Sequence, residues 1–136
     1  METKDTKAKK SYSVLIVDDD RFLLDMYTLK FTECGCAVEA ISDPKAALEK
    51  LRGGAQPNII LLDVIMPALS GFEFLEIRKK ENLAPNATVI MLTNQGQPED
   101  VQKAMTLGAA GYIIKASSIP SEVLQQAFSI ADGQKK

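Results

Sequence analysis

The chain has 136 residues, 46% of them apolar and 25% charged, with a formal net charge of −2. That is an ordinary globular composition, long enough for one domain with a proper core, and it offers no basic footprint for nucleic acid. Histidine is absent and the cysteines number two, which excludes Ser-His and Cys-His catalytic arrangements and any zinc site of the usual four-ligand kind.

From the amino terminus, "METKDTKAKK" reads as the start of a solvated, disordered basic tail over residues 1–11. No apolar run follows its lysines as a secretory signal requires, and none anywhere approaches the roughly 20 residues needed to cross a bilayer. The expectation is a cytoplasmic chain in which Cys34 and Cys36 stay reduced. Short apolar runs then recur: "SVLIV" from 13, "CAVEA" from 36, "NIILL" from 58, "ATVIML" from 87 and "GYIIK" from 111. All but "CAVEA" are too continuous to alternate, which suits strands covered on both faces.

The segments between them carry helical signals. In 21–33, Phe22, Leu23, Met26, Leu29 and Lys30 fall on one face, with Cys34 or Gly35 closing the helix. Asp43 precedes Pro44 as a cap precedes a first helical residue. Ser70 to Glu73 has the spacing of a capping box. Pro98 and Pro120 open helices over about 98–107 and 120–132, with Gly108 and Gly133 as stops. Five strands alternating with five helices predict an open α/β fold, a (βα)5 parallel sheet with right-handed crossovers.

In such sheets, sites form beyond the carboxyl ends of the strands. Asp18, Asp19 and Asp20 follow the first strand and Asp63 the third; Thr93 follows the fourth, and Lys115 lies at the end of the fifth. Like charges about 4 Å apart repel by roughly 4 kcal/mol at an effective dielectric near 20, so something must offset them. A magnesium-dependent phosphoryl-acceptor site does so: Mg²⁺ takes carboxylate oxygens, a carboxylate can act as nucleophile, and lysine and hydroxyl hold phosphoryl oxygens. Asp20 is read as the cap of the helix that starts at Arg21, rather than as a third ligand.

"VDDD", "LLDVIMP", "LT" and "GYIIKA" stand in an order and spacing that resembles the receiver domain of bacterial two-component response regulators. The resemblance covers about residues 12–132 and leaves 133–136 as a short tail. It implies a flavodoxin-like fold with strand order 2-1-3-4-5, most like the free-standing, chemotaxis-regulator type. Asp63 would be the phosphoacceptor and Asp18 with Asp19 the acidic metal pair. The backbone carbonyl of Ile65 would complete the ligands for Mg²⁺ or Mn²⁺. Thr93 would be the switch hydroxyl, Lys115 the site lysine and Tyr112 the aromatic switch. A receiver is a regulatory domain, not an enzyme on another substrate. It takes its phosphoryl group from a histidine kinase or histidine phosphotransfer protein, and it signals to a downstream protein through the fourth helix, fifth strand and fifth helix.

The chain departs from the family pattern at several points. Ala116 stands where proline usually follows the lysine through a cis bond; cis costs about 2.5–4 kcal/mol before other residues, so a trans turn is expected. Asn94 replaces a small residue, and Ser70 replaces an Asp or Gly. Ile65 and Gln95 occupy the variable positions beside the acyl phosphate; an apolar Ile65 cannot orient water, which implies a moderate to long phosphoryl lifetime. Ala110 and Gly111 replace the acidic pair of the winged-helix class, so a monomer or weak dimer is expected. Rival readings are a receiver cut from a larger hybrid kinase or regulator, an unphosphorylated pseudo-receiver, and a haloacid-dehalogenase-like phosphatase. The last would need D-x-D-x-[TV] at the first strand, where "DDDRF" lacks the Thr or Val.

Overall fold

The computed structural model describes residues 12–94, 97–115 and 119–134. Its elements alternate as the apolar runs predict. They are β1 (Ser13–Val17), α1 (Arg21–Glu33), β2 (Ala37–Ile41), α2 (Pro44–Arg52), β3 (Ile59–Asp63), α3 (Gly71–Glu81), β4 (Thr88–Thr93), α4 (Pro98–Thr106), β5 (Gly111–Ile114) and α5 (Pro120–Gln134). The strands form one parallel sheet in the order β2-β1-β3-β4-β5. Among the described residues no helix is long and apolar enough to cross a membrane.

Both faces of the sheet are covered, which explains the unbroken apolar runs. On one face Val14, Ile16, Leu61, Ile90 and Ile113 pack with Leu24, Tyr27 and Phe31 of α1 and Val123, Ala127 and Phe128 of α5. On the other, Leu15, Val17, Leu62, Val89 and Met91 pack with residues of α2, α3 and α4. β3 is buried along its whole length, whereas β2, at the sheet edge, is mostly exposed.

Local chemistry sets the helix starts. Asp20 accepts a hydrogen bond from the Leu23 amide (3.1 Å), and Asp43 accepts one from the Lys45 amide (3.0 Å). In α3 the Ser70 hydroxyl accepts from the Glu73 amide while the Glu73 carboxylate accepts from the Ser70 amide, a closed capping box. Gly35 and Gly108 take positive φ angles of 93° and 109°, where a side chain would be strained, just past α1 and α4.

Two expectations fail. The buried face of α1 is Leu24, Tyr27 and Phe31; Phe22 is 71% exposed and Leu29 53%. Apolar residues surround this helix, so a 3.6-residue period fits more than one phase, and the bulk of the aromatic pair decides it. Gly133 does not stop α5, which runs to Gln134. It leaves the negative-φ region nowhere and would meet nothing with an added Cβ, so no turn is enforced there.

Candidate functional site

Strand register builds the site. Val17 lies beside Leu62, so the next residues, Asp18 and Asp63, emerge side by side where β1 and β3 leave the sheet. Asp63 pairs with Leu92 of β4, and Thr93 pairs with Ile114 of β5, the residue before Lys115. Four residues distant in sequence thus come to one edge because their strands end there.

Asp18 is fully buried, Asp63 is buried, and Asp19 is exposed. Asp18, Asp19 and Asp63 each offer a carboxylate oxygen, and these three atoms lie within 4.8 Å of one another. Lys115 reaches between two of them, with Nζ 3.0 Å from Asp18 Oδ2 and 3.3 Å from Asp63 Oδ1. The other oxygen of Asp18, Oδ1, accepts from the Asp20 amide at 2.9 Å, which fixes that carboxylate against the first turn of α1. Asp20 points its own side chain into the helix cap, outside the cluster.

Three carboxylates against one ammonium leave negative charge in excess. Burial, then the neighbouring Asp18 charge, pushes Asp63 up to about 7, although Lys115 pulls the other way. For Lys115 burial alone favours the neutral amine, but Asp18 and Asp63 outweigh it and hold the ammonium above its usual range. A small divalent cation fits such a set of hard oxygen donors, because it neutralises the excess that one lysine leaves.

The sequence-derived residues do not all converge. Asp18, Asp19, Asp63 and Lys115 form the cluster, and Thr93 stands half-buried at the same sheet edge. Ile65, two residues past Asp63, is 77% exposed on the loop to α3. Tyr112 pairs in register with Met91 and is 37% exposed, on the surface of β5 rather than in the cluster. Gln95 and the Lys115–Ala116 peptide lie outside the described residues. Sequence reading missed Gly71, whose amide donates to the Val64 carbonyl at 2.8 Å and so closes the loop that follows Asp63; its signal was the glycine directly after a helix cap.

Comparison with known proteins bears on the family and the fold. The sequence profile of the response regulator receiver domain matches residues 14–128. The phosphate regulon transcriptional regulatory protein PhoB of Escherichia coli is 31% identical over 111 residues, covering 82% of this chain and 48% of PhoB. The chain therefore spans about half the length of that relative. The chemotaxis response regulator CheY4 of Vibrio cholerae superposes with a TM-score of 0.80 at 29% identity, covering 89% of this chain and 99% of CheY4. A CheY-like receiver domain protein of Methanospirillum hungatei gives 0.81 at 28% identity, covering 93% and 98%.

Proposed function

This chain belongs to the response regulator receiver family, and on that premise we propose that it is a phosphoacceptor, with a receiver unit over 12–132 and Asp63 as the residue phosphorylated. The observation that carries this reading is the Lys115 side chain, 8% exposed, set between Asp18 and Asp63, with Asp19 beside them. The donor is a histidine kinase or histidine phosphotransfer protein, the partners of this family. A carboxylate oxygen of Asp63 attacks phosphorus, the P–N bond to the donor imidazole breaks, and the leaving nitrogen keeps the electron pair and takes up a proton.

Asp18, Asp19, Asp63 and the backbone carbonyl of Ile65 would hold Mg²⁺ or Mn²⁺, which when bound supplies neutralisation of charge on the phosphoryl oxygens. Lys115, already 3.3 Å from the attacking carboxylate, exchanges that contact for one to a phosphoryl oxygen. Thr93 donates its hydroxyl to another. Drawing these two side chains inward shifts the population between two packings of β4 and β5, with Tyr112 turning in. A downstream protein then binds the α4–β5–α5 face in one packing better than in the other.

Incubation with Mg²⁺ and phosphoramidate or acetyl phosphate, followed by intact mass, tests the reading. One phosphoryl group gained by the wild type, and none by Asp63→Asn or without a divalent ion, is expected. No gain by folded wild type from either donor or from a histidine kinase would overturn it. The exposed, apolar Ile65 orients no water, so Ile65→Asn should shorten the phosphoryl lifetime several-fold, read as the rate at which the added mass disappears.

A further inference from the structure

The loop from β3 to α3 carries Ile65 and ends on Gly71, the first residue of α3. Its neck is tightly drawn: the Val64 amide donates to Leu92 (3.1 Å) across the sheet, and the Val64 carbonyl accepts from the Gly71 amide (2.8 Å). A Cβ on Gly71 would stand 2.5 Å from the carbonyl oxygen of Asp63, 3.0 Å from Val64 Cα and 3.0 Å from Met91 Cε. Only the last is the yielding end of a flexible side chain. The other two belong to the backbone that carries the acceptor carboxylate. Gly71 does not occupy the positive-φ region, so glycine serves here by lacking a side chain, not by its conformational freedom.

Any larger residue must lift the first turn of α3 away or push the end of β3 toward the cluster. The Asp63 carboxylate has little room to follow, because it shares Lys115 with Asp18 and lies within 4.8 Å of both other acids. Bond formation demands close placement of the attacking atom, and a misplacement of about 1 Å costs on the order of 100-fold in rate.

We propose that Gly71 is a positioning residue for phosphoryl transfer: its bare Cα lets α3 seat against the peptide unit of Asp63 and so sets the depth of that carboxylate and of the Ile65 carbonyl. This rests on Asp63 being the phosphoacceptor. Gly71→Ala should lower the phosphorylation rate by about 10-fold or more at a temperature where it is fully folded, and weaken Mg²⁺ binding in the same samples. Phe128→Leu, a core change in the α1–α5 layer away from the site, should lower the melting temperature yet keep the wild-type rate and affinity. The expected signature is loss of rate and affinity in Gly71→Ala beyond what its folded fraction explains.

Wild-type rate and affinity in folded Gly71→Ala would overturn the proposal, as would losses that merely track its melting temperature. If Gly71→Ala does not fold, concentrated sucrose favours the compact state. If it fails even there, the decision passes to Ser70→Ala, which loosens the same helix start without adding a Cβ at 71. A several-fold loss of rate and affinity is then expected, and wild-type values would overturn the proposal. A wild type that accepts no phosphoryl group at all would instead remove the phosphoacceptor reading itself.

Discussion

The two ends of the sheet each enclose a cationic side chain and treat it in opposite ways. At the carboxyl end Lys115 meets two carboxylates, and its ammonium is stabilised despite burial. At the amino end Arg78 of α3 is 8% exposed: Nη2 donates to the Ala84 carbonyl (2.9 Å) and the Ala87 carbonyl (3.3 Å), and among the described residues it meets no carboxylate and its Nε has no hydrogen-bond partner. Burial alone lowers its pKa. The amino end thus uses a cation to tie down the turn between α3 and β4, where Asn82 and Ala84 have positive φ. The carboxyl end instead holds more negative charge than its cation neutralises. One end closes on its cation, and the other keeps an excess of negative charge.

The contrast is broken most severely at Arg78. Arg78→Ala takes the guanidinium donor from two carbonyls, Ala84 keeping only its bond from the Ala87 amide, and opens a cavity, a loss of about 2–4 kcal/mol in urea unfolding. Phosphorylation of the folded variant should proceed at the wild-type rate; a large drop would show that the two ends are coupled.

Asp63→Asn should do the reverse at the other end, stabilising the metal-free protein at pH 8 by roughly 1–3 kcal/mol. A carboxyl whose pKa rises from 3.8 to about 7 on folding favours the folded state fully below 3.8 and ceases to do so as pH rises through 7. Metal-free wild type should therefore lose stability between about pH 4 and 7, and the Asn variant should lose less, as thermal melts across that range would report.

Tyr12, beside the start of β1, gives the smallest effect and a different pH window. Burial, then its hydrogen bond to Asp132, pushes its hydroxyl up to about 12. The neutral phenol stabilises the fold fully below pH 10, and that share is lost as pH rises through 12. Tyr12→Phe should cost about 1 kcal/mol near neutral pH and flatten the alkaline limb of the stability curve. In the wild type Tyr12 thus titrates in alkali and Asp63 near neutrality.

Strand positions, helix starts and the candidate site were legible because each rests on local chemistry: continuous Val and Ile runs, Asp43 before Pro44, the Ser70–Glu73 box, and acids placed directly after strands. Strand order came from the family resemblance, and the register confirms it. The phase of α1 was not legible, since Phe22, Met26 and Leu29 make as good a stripe as Leu24, Tyr27 and Phe31 until the sheet chooses between them. Arg78 stands among three basic residues in "RKK" with nothing local to single it out, and only the turn folded over it reveals a buried charge. Gly71 read as a helix start because the Asp63 carbonyl, 2.5 Å from its missing Cβ, is a neighbour only in three dimensions.

The surplus of negative charge at the carboxyl end is tested most directly by calorimetric titration of Mg²⁺ into the metal-free protein at pH 8. The account predicts one ion bound by the wild type and by Arg78→Ala, with affinity at least about 10-fold weaker in Asp18→Asn and in Asp63→Asn, the loss expected when a ligand carboxylate is neutralised. Wild-type affinity in Asp18→Asn, or no binding by folded wild type, would contradict it.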